Sequence, residues 1–148
     1  MVKKLALVLA ALAAVAFGVS KSGFFLQEAP LVSISTESGD RQLERLYGEK
    51  RSSVQVQGAG IVKNILPDDN DGSRHQRFII ELSTGQTLLI AHNVDIAPRV
   101  EGLERGDRVE FCGEYEWNRQ GGVVHWTHKD SSGRHPDGWI RYEGRKYW

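Results

Sequence analysis

The stretch from Asp107 to Trp117 narrows the choice of fold more than any other part of the chain. Val109, Phe111, Tyr115 and Trp117 fall on one side of an extended backbone, and Glu110, Glu114 and Glu116 on the other. This two-residue period marks a half-buried antiparallel strand, one face in a core and one in water. The residues around it repeat the theme. Val54, Val56 and Val62 form a first strand whose Gly58 and Gly60 permit sharp coiling. Gln76–Leu82 and Gln86–Val94, separated by Ser83-Thr84-Gly85, read as a hairpin, and Val123–His128 reads as a fifth strand after the turn Asn118–Gly122. The pattern predicts an all-β domain over residues 51–148: a small five-stranded OB-like antiparallel barrel with a short N-terminal helix and an aromatic C-terminal tail.

The first residues belong to a different regime. Lys3 and Lys4 precede the apolar run Leu5–Val19, the charged and hydrophobic regions of an export signal. The run is short for a membrane span, which needs about 20 apolar residues, yet Phe24, Phe25 and Leu26 extend it. Residues 1–22 therefore read as a signal peptide or an uncleaved N-terminal membrane anchor, and the location as periplasmic or inner-membrane anchored facing the periplasm. Residues 23–50 read as a linker followed by a short amphipathic helix from Asp40 to Lys50, with Leu43, Leu46 and Tyr47 on one face.

Charge and cysteine content exclude several functions. Lys plus Arg number 19 and Asp plus Glu number 19, a formal net charge of zero. That balance lacks the broad basic surface that binds many phosphates, although Arg141, Arg145 and Lys146 make a local patch. Cys112 is the only cysteine, so an intrachain disulfide and a cysteine-cluster metal site are both ruled out. The acidic run Pro67–Gly72 lacks the spacing and terminal Glu of an EF-hand and reads as a solvated loop.

Candidate chemistry concentrates in the histidines at 75, 92, 125, 128 and 135. In a continuous strand His125 and His128 point to opposite faces. His92 and His128 are both in phase with buried positions, and with Asp130 they could hold a divalent transition metal or form a hydrogen-bonded network. No cofactor is otherwise called for. A catalytic reading uses His125 or His128 as base, Asp130 as its orienter and Arg134 as anion stabiliser. His75, Trp139, Arg141 and Arg145 are candidate contacts for a ligand or partner, because terminal indoles beside cations either pack inward or bind outward.

His75-Gln76-Arg77-Phe78, Gly85–Asn93, the strand from Gly106-Asp107 to Trp117, and Val124-His125-Trp126-Thr127-His128-Lys129-Asp130 closely resemble the small bacterial domain-of-unknown-function family numbered 3465. The resemblance covers roughly residues 52–147. It implies a compact exported bacterial protein with an OB-like barrel, and it carries no activity, substrate or cofactor onto these histidines. Lys129 stands where the family pattern often has another histidine, which weakens a histidine-rich metal site.

Three functional readings follow. The first is a cell-envelope binding or interaction module whose partner is an envelope protein or small ligand. The second is a metal-assisted periplasmic hydrolase of phosphoric esters using the histidine and aspartate residues. The third is a single-stranded nucleic-acid-binding OB-like domain, disfavoured by export and near-neutral charge.

Overall fold

The structure, a computed structural model, describes residues 31–148. Helix α1 (Leu31–Gly48) is followed by β1 (Val54–Asp69), β2 (His75–Glu81), β3 (Thr87–Asn93), β4 (Arg108–Glu116), β5 (Val123–His125), β6 (Trp139–Tyr142) and β7 (Arg145–Tyr147). The helix begins at Leu31 rather than near Asp40 and takes in residues expected to be linker. It packs on β1 through the buried Leu43 and Leu46. Asp40, also buried, accepts hydrogen bonds from the backbone N–H and the hydroxyl of Ser83, tying the helix to the turn after β2.

The strands form one seven-stranded mixed sheet in the order β1-β2-β3-β5-β4-β6-β7, with β1 pairing a second time to β4. β1 is long enough to serve both neighbours: Val54–Ile61 lies along β4 and Ile61–Asp69 along β2. The bend between these halves passes Gly60, where an added Cβ would lie 2.9 Å from the Glu81 carbonyl oxygen. All strand pairs are antiparallel except β3 with β5, which is parallel.

The sheet is therefore not the five-stranded antiparallel OB-like barrel that the alternation suggested. Two causes account for the difference. The C-terminal residues expected as an aromatic tail form β6 and β7, which extend the sheet from β4. In addition, β5 turns beside β3 in the same direction, and its pairing there is short. Individual strands fare better: β2, β3 and β4 each lie within one residue of their expected ends.

One apolar core fills the inner face, with Val56, Val62, Phe78, Ile80, Leu88, Ile90, Val109, Phe111, Tyr115, Val124 and Ile140 all buried. Each such side chain contributes roughly 1.5–3 kcal/mol when removed from water. Alternate residues of β2, β3 and β4 are half-buried on the opposite face, and it is this outer face that carries the polar chemistry. No helix among the described residues is long and apolar enough to cross a membrane. The expectation of a signal or an uncleaved anchor, and with it membrane contact through that segment, falls on residues 1–22, which lie outside the described residues.

Candidate functional site

The pleat sets the site. On the outer face, His75 and Arg77 of β2 stand opposite Asn93 and Ala91 of β3, and Leu89 of β3 stands beside Val123 of β5. Leu89, Ala91 and Val123 line a cavity of about 290 Å³ together with Asp69, His75, Arg77, Glu116 and His125. A second cavity, about 220 Å³, is lined by His75, Asn93, Ile96, His125, Trp126 and His128. His75 and His125 belong to both, so the two form one groove across the sheet. Ile96, 61% exposed, stands at its rim.

β5 stops at His125 because Trp126 takes a left-handed backbone conformation, φ 52°, a costly state for a bulky residue that persists only where its surroundings hold it. Gly138 takes part in holding it: an added Cβ there would lie 1.8 Å from the Trp126 carbonyl oxygen. The turn breaks the strand period, so His125 and His128 line the same cavity instead of opposite faces. It also stacks Trp126 on His135, ring centroids 4.2 Å apart and 10° from parallel.

The register of β4 with β5 sets Glu114 opposite His125 and Glu116 opposite Val123, which makes Glu116 a diagonal neighbour of His125. His125 Nε2 lies 3.6 Å from Glu114 Oε1 and 4.0 Å from Glu116 Oε1. It is buried and has no hydrogen-bond partner. Burial lowers the His125 pKa and outweighs the opposing charges of Glu114 and Glu116, which favours the neutral ring, the form with a lone pair to give. One donor atom from each of Glu114, Glu116 and His125 lies within 4.8 Å of the others, and the three can hold a metal ion. The other Glu114 oxygen is fixed by His135 Nε2 at 2.8 Å, while His135 Nδ1 donates to the Pro136 carbonyl at 2.8 Å. Burial disfavours charge on His135, but the Glu114 hydrogen bond, the Pro136 carbonyl and nearby carboxylates together raise its pKa. With both ring nitrogens donating, His135 anchors Glu114 from behind.

The expected donor set His92, His128 and Asp130 is not assembled. His92 is buried; its Nε2 donates to the Pro98 carbonyl (3.0 Å), and its Nδ1 accepts from the Thr127 hydroxyl (2.8 Å). That leaves no nitrogen for a metal, and burial lowers its pKa. Asp130 organises its own loop, accepting from the Ser132 amide and hydroxyl and from the amides of Arg134 and His135. The Ser132 hydrogen bonds lead in holding its carboxyl well below the usual range. Arg134 bonds Ser132 Oγ at 3.0 Å within that loop. His128 alone of the set reaches the groove, with Nδ1 donating to the Lys129 carbonyl.

The contact candidates divide. His75 lines the groove, whereas Trp139, Arg141 and Arg145 belong to β6 and β7. Cys112 is half-buried, and burial pushes its thiol pKa up. Asp68, expected in a solvated loop, lies near the end of β1 and is held by Arg99 at 2.6 and 3.0 Å. The strand period correctly sends Glu114 and Glu116 outward. It gives no register, and only register sets them beside His125.

A comparison with the curated proteins finds no match. The family model described as "Protein of unknown function (DUF3465)" matches residues 27–148, from before α1 to the last residue, and the chain belongs to that family.

Proposed function

We propose that the protein is an exported binding module of the bacterial cell envelope that takes a small ligand in the outer-face groove, with a divalent transition metal at Glu114, Glu116 and His125 as cofactor. The observation that carries this reading is the partnerless, buried His125 Nε2 between two carboxylates, on the wall common to both cavities. A neutral imidazole with carboxylates is a donor set for zinc and similar ions, and three protein donors leave a position open to a ligand. Leu89, Ala91 and Val123 give the groove an apolar floor, and polar residues edge it, the usual make-up of a small-molecule seat. The acidic residues Asp69 and Glu116 at the same groove work against a nucleic-acid backbone.

The test is calorimetric titration of the untagged, metal-stripped chain with zinc. One ion bound per chain, with affinity reduced by Glu116→Gln and by His125→Ala, supports the cofactor. Absence of binding, or binding indifferent to both substitutions, refutes it.

A further inference from the structure

The C-terminal hairpin carries a second organised surface. Ile140, Tyr142 and Tyr147 turn into the core, so the pleat places Trp139 and Arg141, with Lys146 opposite Arg141, on the outer face. Cations and indoles alternate there. Arg141 Cζ lies 5.0 Å from the Trp139 ring centroid, and Lys146 Nζ lies 5.0 Å from Trp139 and 3.9 Å from Trp148. Lys129 Nζ, from the loop after β5, completes the row at 3.5 Å from Trp148. Arg141 also meets Glu110 at 3.0 Å. Lys129, Arg145 and Lys146 make no ion pair with a carboxylate among the described residues.

Two ammonium groups on one indole repel, and the negative ring face offsets only part of that repulsion. A carboxylate beside either ammonium offsets more of it. Because Lys146 and Lys129 already cover Trp148, the surface offers N–H donors rather than an open ring for stacking a base or a sugar.

The backbone adds a second, independent feature. β7 is the last strand of the sheet, and its outer edge pairs with nothing among the described residues. It follows β6 through Glu143-Gly144, both at positive φ (49° and 75°), the form of a tight two-residue hairpin. In such a hairpin the residues beside the turn, Tyr142 and Arg145, exchange hydrogen bonds. The next pair does not, which turns the Lys146 N–H and C=O to the free edge.

We propose that this edge docks an extended acidic segment of a partner protein. The segment adds a strand to β7 through Lys146, and its alternate carboxylates meet Lys129 and Lys146 on one face and Arg145 on the other. The shortness of β7 makes the charges as necessary as the backbone.

A synthetic peptide alternating Glu and Val, titrated into the full chain and followed by amide and indole NMR, tests this. The expected result is shifts at the Lys146 amide and the Trp148 indole, with binding weakened about tenfold by Lys129→Glu with Lys146→Glu, and weakened by salt. Insertion of proline at the centre of the peptide should also weaken binding, because proline cannot complete the ladder. Equal binding of the proline peptide overturns strand addition. Shifts confined to the groove around His75 overturn the location. Tighter binding of a single-stranded oligonucleotide at the same residues overturns the acidic peptide as occupant.

Discussion

His92 and His125 stand on the paired strands β3 and β5 and meet opposite fates. His92 is enclosed on the core side, and each of its nitrogens has a partner, Thr127 and Pro98. His125 faces the groove with Nε2 withdrawn from water and unpartnered beside two carboxylates. Burial lowers both pKa values. What separates the rings is hydrogen-bond completion: a satisfied imidazole is structural, and an unsatisfied one beside acidic groups is available for chemistry.

The largest expected effect lies on the structural side. His92→Ala strands the Thr127 hydroxyl and the Pro98 carbonyl and leaves a cavity, for a destabilisation of about 3 kcal/mol read by urea unfolding. A loss below about 1 kcal/mol breaks the comparison, because the His92 bonds would then be incidental. On the reactive side, Glu116→Gln should lower zinc affinity about tenfold or more, and His125→Ala further, with little change in the urea midpoint. A loss of stability matching that of His92→Ala would make the cluster a structural network as well.

A pH series sharpens the contrast. Because the folded-state pKa of His92 lies below its ordinary 6.5, the unfolded chain binds the proton first as pH falls. The contribution of His92 to stability is thus complete above pH 6.5 and declines as pH drops from there toward the folded-state value. Unfolding midpoints measured across this window should fall for the natural chain and fall less steeply in His92→Gln, the remaining slope of the same sign coming from His125, whose pKa burial also lowers. The smallest effect is expected at the rim: His75→Ala, which removes a single bond to the Ser73 carbonyl, should cost no more than about 1 kcal/mol by the same urea measurement.

The sequence carried much of the sheet and less of the site. β2, β3 and β4 could be read from their two-residue period, which is a local property. β6 and β7 could not, because short aromatic-rich strands beside Pro136 and Gly138 resemble a packed tail until β4 offers them an edge. His92 was correctly sent inward by phase, but its saturation by Pro98 and Thr127 depends on loops that no period describes. Asp130 looked like a ligand because a carboxylate near histidines usually invites that reading. The chain instead folds the 130–135 loop around it.

By itself the sequence determined which residues alternate between core and water, the absence of an intrachain disulfide, and the outward direction of Glu114 and Glu116. Tertiary structure decided three things: the parallel turn of β5 beside β3, the left-handed backbone at Trp126 that gathers His125 and His128 into one cavity, and the register that sets two glutamates against His125. The physical reason is range. Side-chain direction follows from backbone geometry one residue at a time, whereas register and loop closure are fixed by contacts between residues far apart in the chain.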